Sequence, residues 1–154
     1  MAGQNVEMAT WGSLEEAAPE LAEFGARLLT SVTGYLATIR ADGSPRVHPV
    51  VPIVGGGHLF VFMEPTSPKG VDIIDRGCYA LHNGVADMSG TGGEFLVRGR
   101  GELANDARLR SLAVESATYA TSEHYVLYEL FVDEARCNGY GNTVLPEPRR
   151  WSSP

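Results

Sequence analysis

Positive charge is scarce in this sequence, and lysine almost absent. Its 154 residues include 12 basic against 19 acidic side chains, a net charge of −7. Eleven of the basic residues are arginines, and Lys69 is the single lysine. Because sequence-independent binding to nucleic acids needs a basic face, we expect no nucleic-acid partner.

Cysteines and long apolar runs are also few. Cys78 and Cys137 are far apart and form no C-x-x-C pair, so the sequence indicates neither a metal site nor a disulfide framework. No apolar run approaches the roughly 20 residues that cross a membrane, and the first residues are acidic. We expect a cytoplasmic protein without a membrane partner, formed by one domain over 1–154 with irregular tails at 1–12 and 142–154.

The apolar spacing changes along the chain from helical to alternating. It predicts a helix over about 14–30, with a capping box of Ser13 and Glu16. Another helix is expected after the N-cap Asn105, and Pro49 and Pro52 place part of their strand at a sheet edge or a bulge. Strands are predicted in GYLATI, PRVHPVV, HLFVFM, CYALH, EFLVRGRGEL and YVLYELFVDEARCNGY, the last as one strand or a pair. Sequential strands with few crossovers predict an α+β fold, a mainly antiparallel barrel with peripheral helices.

The single lysine lies in a segment with strong helix signals. In MEPTSPKGVDIIDRG, Ser67 is a good N-cap, Pro68 suits the first helical position and Gly77 suits the C-terminus. The segment predicts a short helix over 67–76 with Val71, Ile73 and Ile74 on one face. A helix N-terminus attracts anions, so a capping hydroxyl and Lys69 could hold a phosphate there. The alternative is a solvated surface lysine.

Other motifs in the chain predict no chemistry. GRGELA, from Gly99 to Ala104, matches a dinucleotide fingerprint, but that motif needs a helix beginning within its glycines, whereas the strand pattern here continues to Leu103. The histidines are interpreted as structural, and the spacing gives no catalytic triad. They are His48, His58, His82 and His124.

Three segments together resemble the pyridoxamine 5′-phosphate oxidase-like family of flavin-binding split barrels. They are GYLATIRADGSPRVHPVVPI, LFVFMEPTSPKGVDIIDRG and EFLVRGRGEL, within about residues 30 to 135. The resemblance implies a split β-barrel that forms a homodimer with FMN at the subunit interface. It also implies that Ser67 and Lys69 hold the flavin phosphate. The implied cofactor-binding residues are Arg46, Val47, His48, Pro49, Met63, Ser67, Lys69 and Glu94.

The sequence departs from the family pattern at three places. Pro68 stands where the family has an arginine, so one charge-assisted phosphate contact is missing. Glu94 is acidic where the family often has a polar residue against the flavin ring. The chain ends in RRWSSP and not in the family's substrate-binding Arg-Leu-x-Pro, which argues against pyridoxine phosphate as the substrate.

The resemblance therefore implies an FMN-binding oxidoreductase that acts on a small molecule, with the flavin supplying the chemistry and no protein acid or base assigned. One alternative is the deazaflavin F420 on the same scaffold, whose acidic tail would need Arg98, Arg100 or the arginines near the C-terminus. Another is a flavin- or haem-binding module without turnover, for storage or stress sensing.

Overall fold

The structure is a computed structural model that describes residues 7–154. Its first element is helix α1 (Trp11–Ala17), followed at once by α2 (Pro19–Ser31). The prediction of one helix over 14–30 is therefore wrong, because Pro19 begins a second helix and the residue before a proline avoids the helical region. The capping box is formed by Thr10 and Ser13, and not by Ser13 and Glu16.

Nine strands and two further helices follow within these residues. The strands are β1 (Gly34–Ile39), β2 (Pro45–Val50), β3 (Ile53–Gly55), β4 (His58–Met63), β5 (Cys78–Asn83), β6 (Glu94–Leu103), β7 (Val126–Leu130), β8 (Glu134–Asn138) and β9 (Arg150–Ser152). Helix α3 (Pro68–Arg76) lies between β4 and β5, and α4 (Ala107–Ser116) between β6 and β7. Every strand pair is antiparallel. The predicted α+β fold, a mainly antiparallel barrel with peripheral helices, is confirmed, and the antiparallel sheet curls into a half-barrel.

Strand β6 belongs to both halves of the sheet. Along one edge it pairs with β5, and along the other it pairs first with β8 and then, past Gly99, with β7. The main path is β2-β1-β5-β6-β7-β4-β3, and β8 and β9 extend the sheet from β6. The predicted final strand is a pair, broken at residues 131–133.

The crossing at Gly99 depends on a very close backbone approach. The N–H groups of Phe131 and Asp133 donate to the carbonyls of Arg100 and Arg98, at 2.8 and 2.9 Å. A Cβ at Gly99 would lie 2.2 Å from the carbonyl oxygen of Phe131. The strand continues through GRGEL to Leu103, so the rejection of the dinucleotide fingerprint is confirmed.

The two ends of the chain are more regular than the sequence predicts. Helix α1 already includes Trp11 and Gly12, and β9 pairs with β8 near the C-terminus, so irregular tails over 1–12 and 142–154 are wrong at these positions. Residues 1–6 lie outside the described part. Helix α4 is capped by Asp106, whose side chain accepts from the N–H of Arg108, and not by Asn105.

Helix α2 covers the main hydrophobic core. Leu21, Phe24 and Leu29 pack with Trp11 and with residues of the sheet. Trp11 and Phe95 meet edge to ring, with centroids 5.8 Å apart. A second, smaller cluster lies beneath α4 around Phe60, Phe62 and Leu127. No helix among residues 7–154 is long and apolar enough to cross a membrane.

Replacement of Gly25 tests the packing of α2 on the sheet. A Cβ there would lie 2.4 to 2.7 Å from the ring of Phe95, which is fully buried. We expect Gly25→Ala to lower the free energy of unfolding by about 1–2 kcal/mol, because overpacking outweighs the better helix propensity of alanine. Urea denaturation measures the change. Glu23→Ala, on the exposed side of the same helix, should change stability by less than about 0.5 kcal/mol. An unaltered or raised stability of Gly25→Ala would contradict this packing.

Candidate functional site

Asp72 on α3 is the centre of an ion-pair network. The residue is 3% exposed. Its carboxylate accepts from the Thr38 hydroxyl at 2.7 Å, from Arg46 Nε at 2.7 Å and from Arg76 Nη2 at 3.1 Å. Arg76 also donates through Nε to the carbonyl of Ile39, at 2.5 Å. The network therefore joins α3 to β1 and β2 and fixes the guanidinium of Arg46.

The charge of Asp72 is maintained by its partners. Burial by itself would raise the pKa of this carboxyl group. The hydrogen bonds from Arg46, Thr38 and Arg76 outweigh burial and hold the pKa below its ordinary value. Asp72 is thus an anion that neutralises part of the surrounding positive charge.

Lys69 and Ser67 lie together at the start of the same helix. Lys69 Nζ donates to Ser67 Oγ at 2.9 Å, and Ser67 is 7% exposed. Burial, and then the positive charge of Arg46, lower the pKa of Lys69. No carboxylate in residues 7–154 lies within ion-pair distance of its ammonium. The site therefore holds two neighbouring cations, of which only Arg46 is paired with Asp72.

The helix around these residues is close to the one that the sequence predicts. Its bounds are Pro68–Arg76, with Ser67 at the N-cap position and Gly77 in the left-handed conformation at its C-terminus. The N-cap hydrogen bond expected from a backbone N–H to the Ser67 hydroxyl oxygen is not formed; that oxygen accepts from Lys69 instead. The expected apolar face is wrong as well. Ile73 is buried, whereas Val71 and Ile74 are 47% and 58% exposed.

An open cleft of about 540 Å³ lies beside this cluster. Its wall contains both positive and negative side chains, so it is not a strongly basic surface. Besides Arg46 and Asp72 it is lined by Arg40, Ala41, Asp42, Thr66, Pro68, Val71, Asp75 and Arg76. Arg40 in this wall forms no ion pair within residues 7–154, and Lys69, next to the lining residue Pro68, forms none either.

The predicted residues of β2 extend from Arg46 along the edge of the sheet. β2 is the first strand of the sheet order, which confirms the edge position expected from Pro49. Val47 is 63% exposed, and His48 and Pro49 are exposed too. Strand alternation puts Arg46 and His48 on the side of Asp72, and Val47 and Pro49 on the other. The Nδ1 atom of His48 lies 2.9 Å from the carbonyl oxygen of Pro49.

Met63 and Glu94 do not join this cluster within one chain. Met63 is 3% exposed and belongs to the main core. Glu94 begins β6 and contacts His82, Asn138 and Tyr140. The register places it beyond the His82–Leu96 pair, far along the sheet from Thr38 and Arg46. Their roles toward a cofactor stay predictions.

Most of the arginines considered for an acidic F420 tail are already engaged. Arg98 and Arg150 share the carboxylate of Glu134, at 3.1 and 2.8 Å, and Arg149 pairs with Glu147 at 3.4 Å. Within residues 7–154, Arg100 has no ion-pair partner.

The sequence reasoning missed Asp72, Thr38 and Arg76. A signal for Asp72 was present, because a carboxylate beside Ile73 in a short amphipathic helix must find partners if it faces the sheet. Nothing local identifies those partners, since Thr38 and Arg46 lie 34 and 26 residues away.

Solved structures show which known fold this arrangement of strands resembles. A haem-binding protein from Mycobacterium smegmatis matches with a TM-score of 0.65 and 18% identity, over 88% of this chain and 58% of that protein. General stress protein 26 from Bacillus anthracis matches with a TM-score of 0.60 and 18% identity, over 85% and 97%. The fold is that of the pyridoxamine 5′-phosphate oxidase-like split barrels.

A third similar structure is a proposed pyridoxamine 5′-phosphate oxidase from Listeria innocua. It matches with a TM-score of 0.59 and 14% identity, over 76% of this chain and 96% of that one. No protein-family model matches the chain, and no curated protein matches its sequence. The chain spans little more than half of the M. smegmatis protein, and at these identities the likeness concerns the fold.

Replacement of Asp72 by asparagine tests the network. Asp72→Asn keeps the shape but leaves Arg46 and Arg76 without their counter-charge, so we expect a loss of about 1–3 kcal/mol in the free energy of unfolding near pH 7. The folded pKa of Asp72 is depressed. The stabilisation by ionised Asp72 is therefore complete above its unfolded pKa of about 4. It is lost as the pH falls through the pKa of Asp72 in the folded protein.

Urea unfolding of both proteins across the acid range measures this pH dependence. The stability difference should shrink as wild-type Asp72 becomes protonated. Asp75→Asn is the matched control, since Asp75 lies exposed on the same helix and belongs to no ion pair among residues 7–154. A stability difference that stays constant below pH 4 would show that the charge of Asp72 is not what stabilises the fold.

Proposed function

We propose that the protein binds FMN and acts as a flavin-dependent oxidoreductase on a small molecule. The observation that carries the proposal is the environment of Lys69. Its ammonium is partly buried, donates a hydrogen bond to Ser67, and lies near Arg46 with no carboxylate partner among the residues that the structure describes. A phosphate at the start of α3 would supply the missing negative charge and accept from the ammonium and backbone N–H of Lys69 and from the Ser67 hydroxyl.

The surroundings of Lys69 suit a phosphate in two further respects. Arg46 is held by Asp72, so its guanidinium is already ordered beside the site. Pro68 supplies no charge where the resemblance would place an arginine. Arg46 engages Asp72 through Nε alone, whereas the nearby Arg76 is engaged by both Asp72 and the carbonyl of Ile39. Lys69 and Arg46 would therefore carry most of the electrostatic interaction with the phosphate.

The proposal includes a homodimer with a flavin at each end of the interface. The outer face of the sheet supports it, because Tyr35, Ile39 and Val47 are 49%, 36% and 63% exposed there. In β1 and β2 these residues point to the same side, since Ala37 pairs with Val47 and Tyr35 with Pro49. An apolar surface of this kind is typical of an interface between subunits. Glu94 of one subunit would then reach the flavin of the other.

A flavin placed at this interface would divide the work between the cofactor and the protein. Bound FMN would supply hydride or electron transfer. The protein would bind the phosphate through Ser67 and Lys69, orient the ring along Arg46, Val47, His48 and Pro49, and exclude water at the subunit interface. A cytoplasmic location is part of the same proposal.

A second candidate is a haem-binding module without turnover, since one similar fold belongs to a haem-binding protein. The F420 alternative has less support, because Arg98, Arg149 and Arg150 are already paired with carboxylates. The absorbance spectrum of the purified protein separates the three cofactors.

The spectrum and the oligomeric state together test the proposal. We expect the two visible and near-ultraviolet bands of an oxidised flavin, one flavin per chain, and a dimer by light scattering. Dilution to the monomer should release the flavin, because the interface completes the site. A Soret band would favour the haem-binding module, and a monomer that retains stoichiometric flavin would contradict the interface site.

Lys69→Ala tests the phosphate contact. We expect this change to weaken FMN binding roughly ten- to a hundredfold, since one charge-assisted contact is worth about 1.5–3 kcal/mol. Riboflavin, which has no phosphate, should lose much less. Titration of the flavin-free protein with both ligands measures the difference.

Two further variants serve as controls. Lys69→Arg keeps the charge on a longer, planar group and should restore part of the FMN affinity. Arg108→Ala removes an equal charge from a side chain that is 93% exposed on α4, and should leave both affinities unchanged. Equal FMN affinity of the wild type and Lys69→Ala would contradict the proposed phosphate site.

A further inference from the structure

A second pocket opens on the outer face of the sheet, away from Lys69. It has a volume of about 340 Å³ and is lined by His82, Glu94, Leu96, Arg136, Cys137 and Asn138. The register aligns three of these across β5, β6 and β8, because His82 pairs with Leu96 and Leu96 with Arg136. Directly paired residues point to the same face, so Leu96 forms an apolar floor between an imidazole and a guanidinium.

His82 has one ring nitrogen fixed and the other without a close partner. Nδ1 lies 2.6 Å from the carbonyl oxygen of Asn83, and because a carbonyl only accepts, Nδ1 is the donor. Nε2 lies 3.7 Å from Glu94 Oε1, which is too far for a hydrogen bond. The side chain is 35% exposed, so Nε2 can meet a ligand in the pocket.

Glu94 is held at the side of the pocket. Its Oε2 accepts from the Tyr140 hydroxyl at 2.9 Å and from Asn138 Nδ2 at 3.4 Å. The bond to Glu94 raises the pKa of Tyr140, which therefore stays a neutral donor. Glu94 pairs with Asn138 and lies diagonally from Arg136, and it makes no ion pair with that guanidinium.

Arg136 differs from the arginines beside it. Arg98 and Arg150 both bind Glu134, and Arg150 is the direct cross-strand neighbour of Arg136. Arg136 forms no ion pair with any carboxylate of the described chain. A free guanidinium at one end of an apolar floor is suited to a ligand with a carboxylate head and an apolar body.

We propose that this pocket binds a small organic monocarboxylate. Arg136 pairs with the carboxylate, Leu96 lies under the apolar body, and His82 Nε2 faces the ligand from the opposite side. The charged and titratable groups that face His82 are Glu94 on β6, Arg136 on β8 and Tyr35, its direct neighbour on β1. The inference names the substrate class of the proposed oxidoreductase and rests on the proposed function only in placing the pocket beside the flavin bound by the other subunit of the dimer.

Benzoate is the probe, and benzamide is its uncharged counterpart of the same shape. We expect sodium benzoate to give saturable chemical-shift changes in ¹⁵N-labelled protein, confined to residues of β5, β6 and β8 around the pocket. Arg136→Gln should weaken benzoate binding by about tenfold, the loss of one charge-assisted contact at a partly exposed site. Benzamide has no carboxylate for Arg136. Its affinity for the wild type should therefore be no higher than the affinity of benzoate for Arg136→Gln.

Arg108→Gln removes an equal charge from α4 and should leave benzoate binding unchanged. The spectrum of each variant without ligand shows whether the fold is retained. Absence of saturable shifts, equal binding by Arg136→Gln and the wild type, or equal binding of benzamide would each overturn the pocket.

The two proposals fail separately, because flavin binding is measured by absorbance in the same samples. Benzoate binding without any flavin binding would support the carboxylate pocket and contradict the proposed flavin-dependent oxidoreductase. Flavin binding without benzoate binding would support the flavin proposal and contradict the carboxylate pocket.

Discussion

The fold depends on the passage of β6 from one half of the sheet to the other. At Gly99 the backbone of residues 131–133 comes so close that any side chain would collide with the carbonyl of Phe131. This contact ends β7, begins β8, and lets both pair with the same edge of one strand. The sheet can therefore curl around the core while β1, β5, β6 and β8 present a continuous outer face.

The two candidate sites lie on opposite sides of this curled sheet, and each depends on side chains from several strands. On the inner side, Asp72 links α3 to β1 and β2 and orders Arg46 beside Lys69. On the outer side, β5, β6 and β8 bring His82, Leu96 and Arg136 into one row. In both sites a cation that has no carboxylate partner among residues 7–154 stands next to cations that have one.

Local signals predicted α3 almost to the residue, because Pro68 and Gly77 act on the backbone next to them. The break between α1 and α2 was also readable from Pro19, although the sequence interpretation continued the helix through it. The ion pairs of Asp72, the pairing of β9 with β8, and the row of His82 and Arg136 were not predictable. They join residues that are distant in the chain, and only tertiary structure sets their register.

Because Lys69 is the single lysine of the chain, it can be labelled selectively. Since the chain has no other lysine, its side chains offer a single primary amine to acylating reagents. Burial and the charge of Arg46 lower the pKa of that amine, so a larger fraction of it is neutral and nucleophilic than in a freely solvated lysine. Acylation or reductive methylation of side-chain amines would therefore report on one position, and ligand-dependent protection from it would give an occupancy assay without mutation.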